Sequence, residues 1–363
     1  MTAPAGSDPV TRVDPLTRVD PVTRVDPLTR YATPHRHGAL VVAPSFTPGR
    51  FDSHGVDSPF VFSLDGRVGM TYIGWDGEGY QTALTWRRDD GTWEPGEVVF
   101  GRVAGDPLLR HNAALTSIVR DDDLWSPGEL TRIDGWFYGT FHAYPDAGYE
   151  AGPASIGFVR SRDLRDWERV GGLLRPDDGE AWERGGLYKS WLRHDGERFV
   201  VYYNAKDDED AAAARTPAMW REQTGIATSV DLVTWLRNPA NPVVANGAAD
   251  APDEIFASDP CVLRDGEGWV MFFFGLGADF HARELVALSV DGERWAKASA
   301  PLIDTGAPGS VDETHAHKPA VIALDGRLEH YYCAVAPRDP GGSDVGIAET
   351  RGITFSWGPP PGA

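Results

Sequence analysis

At 363 residues the chain is long enough for two or three average domains, although β architectures of this size also form a single unit. Its 34 basic and 54 acidic residues give a formal net charge of −20, which argues against nucleic acid and anionic membrane surfaces as partners. Two cysteines, Cys261 and Cys333, are too few for a disulfide framework or a thiolate metal centre, and no stretch is apolar for long enough to span a bilayer as a helix.

The chain begins with an unusual element. Residues 10–30 read VTRVDPLTRVDPVTRVDPLTR, in which TRVDP plus Val or Leu recurs every six residues. It has no apolar core like that of a secretory leader, and a proline in every repeat blocks a regular helix or a central strand. Residues 1–35 are therefore expected to be a disordered extension. With no leader and two unpaired thiols, a cytoplasmic protein is expected, unless the start codon is mis-assigned. ALVVAPSF (39–46) follows, a strand-like run free to pair with the far end of the chain.

From there one pattern recurs. Asp-Gly falls between apolar runs at Asp65, Asp134, Asp195, Asp265 and Asp325, at intervals of 69, 61, 70 and 60 residues. Asp-Gly between two strand-like runs marks a hairpin, because both central residues of a type I′ turn need positive φ. An aromatic strand follows each one: VGMTYIGW, WFYGTFHAY, RFVVYYNA, WVMFFFGL and RLEHYYCAV. Farther on come SRDLRDW (161–167), SVDLVTW (229–235) and SVDGERW (289–295), with looser copies at 86–93 and 349–357. Helix signals are nearly absent; 211–220 is the one candidate, and Pro217 interrupts it.

Five units of this kind predict an all-β fold: a five-bladed β-propeller over residues 36–363, its four-stranded antiparallel blades set around a central channel. The excess length over common propeller repeats should lie in loops at 102–124, 145–153, 207–222 and 246–256. Counting back from each Asp-Gly places Asp57-Ser58-Pro59, Trp125-Ser126-Pro127, Tyr188-Lys189-Ser190, Ser258-Asp259-Pro260 and His317-Lys318-Pro319 at the heads of the inner strands. The column predicts that Asp57, Trp125, Lys189, Asp259, His317 and Lys318 share one pocket.

The D-x-P strand starts and the S-x-D-L-x-x-W turns, over about residues 45–358, resemble the furanosidase-type glycoside hydrolases of families 43, 32, 68, 62 and 117, and the family 130 phosphorylases share the fold. FDSHGVDSP (51–59) resembles a family 117 segment that lies in a later blade there. The resemblance implies a glycosidase acting on a furanosidic or related bond in an oligo- or polysaccharide by an inverting acid/base mechanism, without a cofactor. It implies Asp57 as general base. The family's acid position holds Lys189 here, which leaves Glu183 or Glu129 as candidate acids and Asp259 in a supporting role. His54, Tyr188, Lys189, His317, Lys318 and Arg283 are candidate substrate ligands. Trp75, Tyr80, Trp125, Tyr188 and Trp191 are candidates for stacking on a sugar, although each also suits a core. His315-x-His317 lacks an evident third ligand, so no metal is expected. Two other readings stay open: a phosphorylase that cradles phosphate on Lys189, Lys206, Arg283, His317 and Lys318, and a non-catalytic carbohydrate-binding propeller.

Overall fold

The recurring hairpins set the architecture. The computed structural model describes residues 26–216, 218–338 and 348–359. After a two-residue strand β1 (His35–Arg36), the first meander runs β2 (Gly55–Leu64), β3 (Arg67–Trp75), β4 (Tyr80–Trp86) and β5 (Glu97–Phe100). The second is β6 (Ala114–Ile118), β7 (Phe137–Ala143), β8 (Ser155–Ser161) and β9 (Trp167–Leu174). The third is β10 (Gly186–His194), β11 (Phe199–Lys206), β12 (Glu222–Ser229) and β13 (Leu236–Arg237). The fourth is β14 (Phe256–Asp265), β15 (Gly268–Leu276), β16 (Ala282–Ser289) and β17 (Ala296–Lys297). The last contains β18 (His315–Leu324), β19 (Arg327–Pro337) and β20 (Glu349–Trp357), and β1 completes it by pairing antiparallel with β20. Sheets of four antiparallel strands thus account for nearly all regular structure, and a single parallel pair, Glu222 with Phe256, joins the third meander to the fourth. The first strands contact one another in a closed cycle, β2–β6–β10–β14–β18–β2. No described helix is long and apolar enough to cross a membrane.

At Asp65-Gly66, Asp134-Gly135 and Asp325-Gly326 both turn residues have positive φ, as the hairpin reading requires. The S-x-D-L-x-x-W turns are structural devices. In the first copy Ser161 Oγ accepts from the Leu164 N–H at 2.9 Å, Asp163 Oδ1 accepts from the N–H groups of Arg165 and Asp166, and Trp167 Nε1 donates to Leu164 O at 3.1 Å. Ser229/Asp231/Trp235 and Ser289/Asp291/Trp295 repeat the same bonds. The short helix in the 211–220 region spans Glu209–Ala213.

Three expectations need correction. Residues 26–35 are ordered: Pro27–Arg30 form a helical turn capped by Asp26, Arg30 pairs with Asp265 at 2.6 Å, and buried Tyr31 donates to Asp265 at 2.8 Å. Residues 1–25 lie outside the described residues. The strand that closes the last sheet is His35–Arg36 rather than 39–46, from which Val42 makes only an isolated bridge to Ile353. In the second unit the inner strand is Ala114–Ile118, not the run after Trp125. Residues 119–136 detour across the ring before the Asp134-Gly135 turn. Within this detour Arg120 is buried and donates to the carbonyls of Val61 and Val321 on β2 and β18, so it plugs the channel.

Candidate active site

All five inner strands carry a one-residue register shift, in β6 between Leu115 and Ser117, and four of the shifts fall at the strand heads picked out by the sequence. Register shifts fall between Asp57 and Phe60, Tyr188 and Ser190, Ser258 and Cys261, and His317 and Ala320. At these bulges Ser58, Lys189, Asp259 and Lys318 have φ of 47°, 22°, 56° and 65°. Left-handed backbone at non-glycine residues costs of order 1–3 kcal/mol each, and bulges of this kind re-aim side chains. Pro59, Pro260 and Pro319 sit where the bulge leaves a backbone position outside the ladder, so the missing N–H is tolerated there.

The bulges bring charged groups together. Asp57 is buried, with Lys318 Nζ at 2.8 Å and Arg351 Nη1 at 3.3 Å from Oδ2, while its Oδ1 accepts from the Ser58 N–H at 2.7 Å. Burial alone would raise its pKa, but Lys318 and Arg351 outweigh that and hold it far below the usual carboxylate range. Lys189 is buried, with Nζ 3.4 Å from Pro59 O, and burial lowers its pKa. Asp259 lies between Asn204 and Ser258, and its Oδ2 is buried without a partner. Burial pushes Asp259 up to about 7 against the pull of Lys318 and Lys189. His317 donates through Nδ1 to Cys333 O at 3.1 Å, and burial keeps the ring neutral.

A cavity of about 260 Å³ opens to solvent above this floor, lined by His54, Asp57, Trp75, Tyr80, Tyr149, Glu349 and Arg351. A smaller inner chamber, lined by Asp57, Tyr80, His142, Glu150, Tyr188, Lys189, Asp259 and Lys318 among others, continues from it. Glu150 comes from the loop between β7 and β8, where its φ is +49° and Tyr80 donates to it at 3.4 Å. Burial raises its pKa, which favours the protonated acid. Behind Tyr188 stands Glu222, the first residue of β12. Its Oε2 accepts from Ser258 Oγ at 2.8 Å and Asn204 Nδ2 at 3.1 Å, and Oε1 accepts from Trp220 Nε1 at 3.0 Å.

Seven residues singled out in the sequence meet here: His54, Asp57, Tyr188, Lys189, Asp259, His317 and Lys318. Trp75 and Tyr80 join them. Four do not. Trp125 points Nε1 at Asp265, six residues along β14 from Asp259 and so about 20 Å away at the opposite mouth. Glu129 is bonded to Ser63 Oγ and the Asp65 N–H at that same end. Glu183 caps a single turn of 3-10 helix, is held by Arg237 at 3.0 Å and by the Tyr203 hydroxyl, and lines neither cavity. Arg283 is tied to Asp279 and Asp304, each at 2.7 Å, outside both cavities. Trp191 packs on Phe60 in the core.

Asp57, His317 and Cys333 each bring a donor atom within 4.8 Å of the others. Lys318 and Arg351 already occupy the Asp57 carboxylate, so a divalent cation there would face two positive neighbours. Sequence reasoning missed Glu150, Glu222, Tyr149 and Arg351. Glu222 had a legible signal, since it begins the strand directly opposite Lys206. Glu150 had only the aromatic, glycine-bracketed stretch GYEAG inside an expected loop.

A model of the glycosyl hydrolases family 32 N-terminal domain matches residues 124–336. No curated protein matches the chain. Among solved structures the chain is similar to one described as a complex of BT0996 and RGII, at 28% identity over 92% of this chain and 94% of that one, with a TM-score of 0.74. It is similar to one described as a glycoside hydrolase, at 26% identity over 92% and 94%, also with a TM-score of 0.74. Zg3597, a family 117 glycoside hydrolase of Zobellia galactanivorans, shares the fold at 13% identity over 88% and 89%, with a TM-score of 0.57.

Proposed function

The chain belongs to the glycosyl hydrolase family 32 N-terminal domain family and is a glycoside hydrolase, and from that premise we propose that Glu150 and Glu222 carry the reaction in a five-bladed propeller. Hydrolysis needs one carboxyl protonated to give the leaving oxygen its proton and another ionised to take one from water. Five carboxyl groups gather at the site: Asp57, Glu150, Glu222, Asp259 and Glu349. Asp57 binds its proton too weakly to serve as base, because Lys318 and Arg351 hold it as an anion. This departs from the family 43 pattern, which would assign Asp57 that role. Glu150 sits on the loop beside the inner chamber, and burial raises its pKa; it is the acid. Glu222, anchored by three donors, is the base. Anchoring of both oxygens suits orienting a water better than attacking a sugar, which supports inversion at the anomeric carbon. Asp259 retains a supporting role, its unpartnered Oδ2 accepting from or donating to a sugar hydroxyl.

The observation that carries this reading is the pairing of Glu150, which lines the inner chamber with its pKa raised by burial, with Glu222, anchored by three donors behind Tyr188. Glu150→Gln should lower kcat by roughly 10²–10⁴ on substrates with poor leaving groups and much less on activated aryl glycosides. Glu222→Gln should lower it on both, azide should partly restore it, and NMR of the first product should show inverted configuration. Full activity in either variant overturns the assignment. RGII, with which the 28%-identical structure is described, is the first natural material to test as substrate. Lys189 and Lys318 lie against Asp259 and Asp57 rather than free for an anion, so added phosphate should leave the rate unchanged.

A further inference from the structure

His142 lies near the end of β7, is buried, and forms one wall of the inner chamber. The bulge in β10 leaves Lys189 outside the ladder, so its backbone N–H needs a partner elsewhere. His142 Nδ1 accepts that N–H at 3.3 Å. An accepting Nδ1 carries no proton, so the neutral ring carries its proton on Nε2. Burial, Lys318 and Lys189 all disfavour a second proton and push the pKa down to about 3, which keeps the ring neutral. Tyr144, Tyr80 and Tyr188 meet the ring edge to face, with centroids 5.5, 6.4 and 6.1 Å away, and fix its orientation. Nδ1 is thus committed to the backbone of β10, and among the described residues Nε2 has no acceptor.

Asp259 lines the same chamber, and its Oδ2 is buried without a partner. The free space between these walls is about 10 Å³, and ~10–15 Å³ is the least that holds one water. The chamber therefore takes one oxygen atom. The open cavity above it, about 260 Å³, falls just under the ~300–1,000 Å³ of drug-sized ligand sites, which suits a single sugar ring against Trp75, Tyr80 and Tyr149. Asp57 and Tyr80 line both spaces, so a group in the chamber stays attached to a ring outside it. We propose that the inner chamber is a socket for one free hydroxyl of a neutral sugar, which accepts from His142 Nε2–H and bonds Asp259 Oδ2. A carboxylate at that position does not fit: it brings two oxygens and faces Asp57, Asp259 and Glu150. A methyl ether is too large, and a deoxy carbon leaves two buried polar atoms unpaired. His142 is thereby a specificity-determining residue, which reads one position of the sugar. This rests on the reading of the chain as a glycoside hydrolase, and not on which glutamate is acid or base.

The test uses the full chain and 4-nitrophenyl glycosides of the neutral pentoses and hexoses, followed by the monodeoxy and mono-O-methyl derivatives of the best one. At a single ring position, loss of the hydroxyl should lower kcat/KM by roughly 10²–10⁴-fold, and methylation there should abolish turnover. His142→Phe keeps a ring and removes the N–H. It should lose at least about tenfold on the parent glycoside, yet stay within about twofold of the native protein on that deoxy derivative. His142→Gln, which returns an N–H close to the place of Nε2, should recover much of the loss. ¹⁵N NMR of the native protein should show His142 as the Nε2–H tautomer throughout about pH 5–8. Equal turnover of the parent and every monodeoxy derivative overturns the proposal. So does an equal loss on parent and deoxy glycosides in His142→Phe, which would make the ring structural. If His142→Phe does not fold, the deoxy series and the tautomer of the native protein decide. If no sugar of the panel is cleaved by the native protein or bound by Glu150→Gln in calorimetry, the proposal fails. Active Glu150→Gln and Glu222→Gln variants that still reject the deoxy derivative would instead sink the acid/base assignment and leave the socket standing.

Discussion

Asp57→Asn separates two roles that the sequence alone could not distinguish. The substitution keeps shape and removes the charge that Lys318 and Arg351 face. Breaking a buried ion pair from one side typically costs 3–5 kcal/mol, because the remaining charge stays buried. Here the cations are 13% and 24% exposed, so solvent relieves part of that, and a cost of about 3 kcal/mol follows. For a domain of about 330 residues this lowers Tm by roughly 4 °C, measurable by calorimetry at neutral pH. The pH dependence has a definite sign. The folded pKa of Asp57 is depressed, so its contribution is fully present above the unfolded value of about 3.9 and is lost as pH falls below it. The gap in Tm between the native protein and Asp57→Asn should therefore narrow steadily below about pH 4. A variant that melts like the native protein while kcat falls by roughly 10²–10⁴ would refute this: Asp57 would then be the proton acceptor of the reaction, as the family 43 pattern has it.

Asp259 has the opposite linkage. Its folded pKa of about 7 means that the folded state binds the extra proton, so stability should decline as pH rises from about 4 to 7, and Asp259→Asn should flatten that slope in denaturant titrations. Glu183→Gln should weaken the contact with Arg237 and lower Tm while leaving kcat on an aryl glycoside within about twofold; a collapse of kcat in a folded protein would return Glu183 to the chemistry. Trp125→Phe should leave KM for oligosaccharides unchanged, since the ring lies at the opposite mouth. Tyr31→Phe should lower Tm through the lost bond to Asp265, a net loss of about 1 kcal/mol, and an unchanged Tm would show that the segment from 26 to 35 does not support the ring.

Local chemistry is legible wherever it is self-contained. Asp-Gly needs only its own φ angles to mark a hairpin, and Ser161, Asp163 and Trp167 complete their turn within seven residues. The repeat of those signals therefore announces the meanders and, through them, Asp57, Lys189, Asp259 and Lys318 at equivalent bulges. The column fails in the second unit because the Asp134-Gly135 turn does not follow its inner strand directly. Nothing in WSPGELTRIDG says that residues 119–136 leave the sheet to plug the channel with Arg120, which puts Trp125 and Glu129 at the opposite mouth.

Charge state is decided in three dimensions. A carboxyl reads alike in sequence whether it will face two cations, as Asp57 does, a lone arginine, as Glu183 does, or a desolvated chamber, as Glu150 does. Lys318 and Arg351 are 261 and 294 residues from Asp57 in the chain, yet within 3.3 Å of it in space. The sequence by itself determined the repeating sheets and the bulged strand heads, because those depend on neighbours along the chain. Only the closed ring decided which carboxyl groups meet, and desolvation together with the charges that meet them decided which keeps its proton.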